Sequence, residues 1–343
     1  MTPERAGWAL AEVMAGRATP AQIAAFLVAM RSAGVDPDVL AGLVDVMLRF
    51  SVAVDVPGPA VDTCGTGGDN SGSVNISTMA AVVVAATGRT VVKHGNRAAS
   101  SLSGSADVLE ALGVVADLPP DAIAPCVAQA GLAFCFAPVF HPAMRHAGPV
   151  RREIGVRSVF NVLGPLANPG RPAAQVVGVA DRTMAPVVAG ALAQRGTVAL
   201  VVRGEDGMDE ITTAAPTRVW DARTRQVRDG MIDTADLGVP RPTPGALSGG
   251  TAGENAEIAL GVLAGGDSPR ERAVRDAVAV NAAAAIVVHD TAAGRLDPAE
   301  PLLRAMAEPL EVARAAMVSG DAAVTLRNWA EVTHRLGGSP TGS

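Results

Sequence analysis

The chain has 343 residues, enough for two domains or one large domain with an accessory. Its net charge of −6 argues against a nucleic-acid binder, whose footprint is a basic face, although a local positive pocket is compatible with it. There is no tyrosine to act as catalytic acid or stacking platform, and the three cysteines, Cys64, Cys126 and Cys135, fit neither a disulfide framework nor a metal-ligand spacing.

The first fifty residues read as three helices. Thr2-Pro3, Thr19-Pro20 and Asp36-Pro37 each resemble an N-cap followed by proline in the first turn, and Gln22 completes a capping box with Thr19. Ile23, Phe26, Leu27 and Met30 fall on one helical face and need a partner, so the segment is expected to be a helical subdomain. Val54 to Pro59, with two prolines and a glycine, reads as a linker. Strand and helix then alternate: strand Ala60 to Cys64, helix Asn75 to Thr87, strand Thr90 to Lys93, helix Ser105 to Leu112, helix Asp121 to Ala130, strand Leu132 to Phe136. The rhythm returns at Gln175 to Val179, Met184 to Gln194 and Val198 to Val202. Such alternation with short connections implies a largely parallel sheet covered on both faces. Phe140 to Ile154 reads as a helical segment that packs back on the N-terminal helices, Trp220 to Asp229 as a polar hairpin, and the chain from Glu254 onward as mostly helix. The N-terminus lacks the apolar core of a signal peptide, and the longest apolar run, Met79 to Thr87, is too short to span a bilayer. The expectation is a soluble cytoplasmic protein whose cysteines are small buried hydrophobes.

One compositional oddity points to chemistry. Of the 28 basic residues, one is lysine, Lys93, and the rest are arginine. Lysine is a compact point charge where arginine is a broad fork, so a site that takes lysine alone suggests a cramped contact with a small anion such as a phosphate oxygen. Lys93 opens Lys93-His94-Gly95-Asn96-Arg97, followed by Ser100-Ser101-Leu102-Ser103-Gly104-Ser105, a loop rich in hydroxyls leading into a helix. A second loop, Cys64-Gly65-Thr66-Gly67-Gly68-Asp69, leaves the first strand and reaches the helix start at Asn75-Ile76-Ser77-Thr78. Glycines allow close backbone approach and helix-start N–H groups attract anions. The spacing matches neither a P-loop nor a dinucleotide fingerprint. Two such loops at strand ends suggest a ligand with two phosphate groups.

A third segment, Arg203-Gly204-Glu205-Asp206-Gly207-Met208-Asp209-Glu210, puts four carboxylates at the end of a strand. It is either a solvated acidic turn or a Mg²⁺ site that shares the ion with substrate phosphate. In a fourth, Phe136 to Gly155, Arg151 is a candidate bidentate partner for a carboxylate, or it pairs with Glu153 or solvent; His141 and His146 read as structural.

In this order, Gly65-Thr66-Gly67-Gly68-Asp69, Asn75-Ile76-Ser77-Thr78, Lys93-His94-Gly95-Asn96, Gly104-Ser105-Ala106-Asp107, Val150-Arg151, Phe160 to Pro169 and Asp209-Glu210 resemble the anthranilate phosphoribosyltransferase family. The resemblance implies an α/β fold with a mainly parallel central sheet flanked by helices, plus a small discontinuous all-helical domain. The helical domain would comprise residues 1–56 with about 138–157, the α/β domain 57–137 with 158–337, and a tail 338–343. It implies a homodimer joined through the helical domain. It also implies transfer of the phosphoribosyl group of 5-phosphoribosyl 1-diphosphate to the amine of anthranilate, a step of tryptophan biosynthesis. Carried over by position, Gly65, Gly68, Asp69, Ser73, Asn75, Ser77, Thr78, Lys93, Ser100, Ser101 and Ser105 would contact the diphosphate donor. Gly65, Asn96 and Arg151 would contact anthranilate, and Ser77, Asp209 and Glu210 would hold two Mg²⁺. No residue is assigned as an essential acid or base. Met144 stands where some members carry tyrosine, which leaves the shape of the acceptor channel open. A pyrimidine nucleoside phosphorylase and a fold-retaining nucleic-acid binder are the competing readings.

Overall fold

A computed structural model describes residues 1–98 and 102–338. The first three helices are α1 (Pro3–Met14), α2 (Pro20–Ala33) and α3 (Pro37–Arg49). Their starts follow the sequence cues. The Thr2 hydroxyl accepts from the Arg5 N–H, and Thr19 and Gln22 form a reciprocal capping box, which satisfies N–H groups that a helix start leaves free.

The alternating region builds β1 (Val61–Gly65), α4 (Ile76–Ala86), β2 (Val91–Gly95), α5 (Ser105–Ala111), α6 (Pro120–Ala130), β3 (Leu132–Phe136), α7 (Ala137–Phe140), α8 (Gly148–Ile154), α9 (Phe160–Leu166), β4 (Ala174–Gly178), α10 (Ala185–Arg195) and β5 (Val198–Gly204). Strands β6 (Thr217–Ala222) and β7 (Arg228–Ile232) follow, and then helices α11 (Ala252–Leu263), α12 (Pro269–Ala292), α13 (Leu302–Val318) and α14 (Asp321–Gly337). The strand order is β3-β2-β1-β4-β5-β6-β7. The first five are parallel, and β6 and β7 add an antiparallel edge. The chain moves outward from β1 in one direction through β2 and β3, then in the other through β4 and β5. That reversal opens a crevice at the carboxyl ends of β1 and β4, the place where open α/β sheets bind ligands.

Strand side chains alternate between two cores, as the two-residue period requires. Leu200 and Val202 of β5 join a core with α4, α6 and the C-terminal helices, while Ala199 and Val201 join one with α3, α9 and α10. The second core also contains Leu10, Leu27 and Leu43, so the N-terminal helices share their apolar interior with one face of the sheet. Helix α3 lies so close to α10 that a Cβ at Gly190 would sit 2.8 Å from Pro37 Cγ.

The segment expected to be helical from Phe140 to Ile154 is helical in two short pieces, a 3₁₀ turn at Pro142–His146 and α8, and follows directly on α7. Pro138, Pro142 and Pro149 each stand in the first turn of a piece, where a missing N–H is harmless; none continues the helix before it. The 3₁₀ turn packs on α1 and α8 on α2, and Met144 packs part-buried against the helical core. The hairpin forms with Trp220 opposite Asp229. All three cysteines are free and buried. Among the described residues no helix is long and apolar enough to cross a membrane.

Candidate active site

The loop after β1 and the acidic loop after β5 meet across β4. The Asp209 carboxylate accepts from the Gly67 N–H at 2.7 Å, and the Asp209 N–H points to Asp69 Oδ2 at 3.4 Å. Two glycines make this approach possible: a Cβ at Gly65 would strike the Asp209 carboxylate, and one at Gly178 would strike its backbone carbonyl. The next residue, Glu210, accepts from the Ser77 N–H at the start of α4, at 3.1 Å. The four carboxylates of the acidic segment therefore separate into two pairs. Glu205 and Asp206 are exposed, and Asp206 accepts from the Thr212 hydroxyl and the Met208 N–H. Asp209 and Glu210 turn inward.

Burial, then repulsion from Asp69, pushes the Asp209 carboxyl above the usual range; burial, then Asp209, does the same to Glu210. Neither has an ion-pair partner among the described residues. Two inward carboxylates without an ion pair, beside the Ser77 hydroxyl and with the Lys93 ammonium acting on Glu210, make an all-oxygen donor set. No three His, Cys, Asp or Glu converge on a metal-sized site among the described residues, so the donor set is sparse. Mg²⁺ accepts such a set, because it keeps water and substrate phosphate as its remaining ligands.

Lys93 is 3% exposed. Its ammonium donates to the Thr63 carbonyl and lies 3.4 Å from the Ser77 hydroxyl, and Thr63 Oγ1 in turn donates to the Ser77 carbonyl at 2.9 Å. Lysine thus reaches, buried, from β2 across β1 to the start of α4. The neighbouring Asp62 carboxylate accepts from the His94 N–H at 3.2 Å and from Asn168 Nδ2 at 2.9 Å, and its pKa is pushed up to about 6 by burial against the pull of Lys93. His94 Nδ1 donates to the Gly164 carbonyl at 3.0 Å, which leaves Nε2 buried with no partner. Burial first, and then His141 with ring centroids 5.1 Å away, holds His94 down to about 3, so it is neutral at physiological pH. His141 is bonded to the Ala167 carbonyl and is structural.

The second loop is stapled by Asp107, whose Oδ2 accepts from both the Ala98 and the Gly104 N–H at 2.9 Å. Ser105 Oγ and the Ala106 N–H both donate to the Asn96 carbonyl, which fixes Asn96 at the head of α5. Asn75 donates to the Ser103 carbonyl and accepts from Asn255 at 2.8 Å. Ser73 forms an isolated bridge with Ser248, and Thr78 is buried in the first turn of α4. Ser100 and Ser101 lie outside the described residues. Arg151 stands apart from this cluster, on α8, its guanidinium 5.0 Å over the Phe160 ring and without an ion pair among the described residues.

Three positions near the site carried no mark in the sequence. Asn281 on α12 receives the Ile211 N–H at 3.0 Å and donates to the Ile211 carbonyl at 2.9 Å, and so clamps the backbone just after Glu210. Asn255 ties Asn75 to the Gly250 N–H. Arg157, between α8 and α9, donates to the Gly68 carbonyl, and its own carbonyl accepts from Arg31 of α2 at 2.6 Å. Apart from Gly250, five residues before Asn255, each partner is tens of residues away or more, so no local pattern reveals it; a polar residue inside an apolar stretch, as at Asn281, is the one available hint.

Comparison with known proteins is consistent with this geometry. A family model described as "Glycosyl transferase family, a/b domain" matches residues 57–323, and one described as "Glycosyl transferase family, helical bundle domain" matches residues 1–51. The anthranilate phosphoribosyltransferase of Salinispora arenicola is 53% identical over 96% of this chain and 92% of its own, and that of Nocardia farcinica is 53% identical over 96% and 94%. The crystal structure of anthranilate phosphoribosyltransferase from Thermus thermophilus superposes with a TM-score of 0.87 at 39% identity, over 97% of this chain and 96% of that one. The Saccharomyces cerevisiae enzyme in complex with PRPP and Mg gives 0.81 at 26% identity, over 92% and 86%.

Proposed function

The chain belongs to the anthranilate phosphoribosyltransferase family, and on that footing we propose that it transfers the phosphoribosyl group of 5-phosphoribosyl 1-diphosphate to the amine of anthranilate, releasing diphosphate, in the second step of tryptophan biosynthesis. The observation that carries this reading is the meeting of two anion-ready loops and an inward acidic pair at the β1/β4 crevice.

Gly65, Gly68, Asp69, Ser73, Asn75, Ser77, Thr78, Lys93, Ser100, Ser101 and Ser105 are the proposed donor-binding set, and Gly65, Asn96 and Arg151 the proposed acceptor set. Two Mg²⁺ are proposed, held by Ser77, Asp209 and Glu210; when bound, they supply positive charge to the departing diphosphate. The protein's own contribution is positioning. An aniline nitrogen is unprotonated at neutral pH and attacks without prior loss of a proton. His94, held near neutrality by burial, is too feeble a base to matter. Lining up amine and ribose carbon is worth on the order of 7–11 kcal/mol, so no essential general base is required.

Trp8 on α1 is 68% exposed and Val28 on α2 46%, apolar surface that fits the proposed homodimer through the helical domain. The helical domain is read as residues 1–56 with about 138–157. Three free cysteines agree with a proposed reducing, cytoplasmic setting. The test is the fall of anthranilate fluorescence on addition of 5-phosphoribosyl 1-diphosphate, with and without Mg²⁺. No fall with Mg²⁺ present would overturn the assignment.

A further inference from the structure

Arg157 is an exposed guanidinium with no salt bridge among the described residues, although the Asp181 carboxylate feels its charge, and it is not loose. It donates to the Gly68 carbonyl on the glycine-rich turn. Arg31, reaching from α2, holds the backbone of the same residue through its carbonyl. Gly68 is glycine because its φ is +73°, and Arg157 Nη2 lies where a Cβ would project. The left-handed turn thus presents its Gly68 carbonyl to this side chain. The N–H groups of Gly68, Asp69 and Asn70 on the same turn have no acceptor among the described residues, while the Gly67 N–H is already held by Asp209.

A guanidinium resting on a neutral carbonyl lacks the ion–ion attraction and the bidentate geometry that it gains with a phosphate oxyanion. Free turn amides beside it are acceptor-seeking as well. We propose that Arg157 is a donor-binding residue. Its guanidinium rests on the Gly68 carbonyl; when 5-phosphoribosyl 1-diphosphate occupies the turn, it exchanges that carbonyl for a phosphate oxygen. Because it is delivered by the α8–α9 connection and braced from α2, this contact ties donor binding to the helical side of the molecule. The proposal rests on the functional reading above and adds to it a residue outside the assigned set.

The test uses the full chain with Arg157→Ala and Arg157→Lys. Binding of 5-phosphoribosyl 1-diphosphate, and separately of inorganic diphosphate, is measured by calorimetry in MgCl₂ without anthranilate, and the KM of each substrate is measured in turnover. Expected are a tenfold or greater loss of affinity for both phosphate ligands in Arg157→Ala, partial recovery in Arg157→Lys, recovery with millimolar guanidinium added to the alanine variant, and an anthranilate KM within twofold of wild type. An exposed residue can be removed without unfolding, which an unchanged thermal midpoint verifies. Unchanged donor affinity would overturn the proposal. So would a change confined to the anthranilate KM, which would give Arg157 to the acceptor carboxylate. If wild-type chain binds inorganic diphosphate but consumes no anthranilate, the functional reading fails while the role of Arg157 remains measurable in binding.

Discussion

Replacing Asn281 by leucine tests whether the acidic loop is held from behind. In the folded chain Ile211 is fully buried, and both of its backbone polar groups are satisfied by one side-chain amide from α12. Leucine fills a similar volume but offers neither donor nor acceptor. A buried backbone group left without a partner costs about 1–3 kcal/mol, so two cost about 2–6 kcal/mol if the loop stays in place. If the loop moves to find water, stability falls less, but Asp209 and Glu210 move with it. Urea unfolding at constant m-value reads the first outcome, and the Mg²⁺ concentration for half-maximal turnover reads the second. We expect either a loss of at least about 2 kcal/mol or a tenfold rise in the Mg²⁺ requirement, equivalent to about 1.4 kcal/mol. Asn281→Asp separates the two bonds, since it keeps the acceptor for the Ile211 N–H but sets an oxygen against the Ile211 carbonyl; it should lie at or below leucine. Wild-type stability together with wild-type Mg²⁺ dependence in the leucine variant would refute the clamp.

Lys93→Arg should lower turnover at least tenfold without unfolding the chain, because a broad guanidinium must take the place of a compact buried ammonium held between Thr63 and Ser77; wild-type kinetics would refute this. Arg151→Ala should raise the KM for anthranilate and leave that for the donor unchanged, and an unaltered anthranilate KM would remove Arg151 from the acceptor site. Asp62 carries a pH signature. Its folded pKa of about 6 lies above the ordinary 3.8, so the fold binds the extra proton, and the stability from that proton is complete below about pH 4 and lost as pH rises through about 6. The difference amounts to about 3 kcal/mol. Urea midpoints at pH 4.5 and 7 should therefore converge more closely in Asp62→Asn than in wild type, and equal pH dependence in the two would contradict the assignment.

Much of this architecture was legible in local pattern. Thr19 and Gln22 announced a helix start, the glycines at 88, 113 and 131 announced helix ends, and the alternation of strand and helix announced a parallel sheet. The two loops and Asp209-Glu210 stood out because glycine, hydroxyl and carboxylate residues are conspicuous in a chain built of Ala, Val and Leu. The pieces that escaped are those whose meaning lies in a distant partner. Nothing in the neighbourhood of Asn281 or Asn255 says which backbone it will hold, and Asn168 looks like any loop amide until Asp62 is beside it. Arg157 was one of 27 arginines, and only the turn it reaches sets it apart. The broken helix between Phe140 and Ile154 had its cause in plain view in two prolines, Pro142 and Pro149, whose effect depends on where each turn begins.

The contact between Pro37 and Gly190 has a mechanical consequence. Only the Pro37 ring stands between α3 and the α10 backbone at that point, and a common apolar interior continues around it, so a rotation of the N-terminal helices against the sheet that keeps this contact has its fulcrum there. Displacement is small next to a fulcrum and grows with distance from it, so the lever arm is longest for groups carried far from Pro37. A methyl group at position 190 would act as a shim, resetting the resting angle of the lever without touching a single substrate-binding side chain.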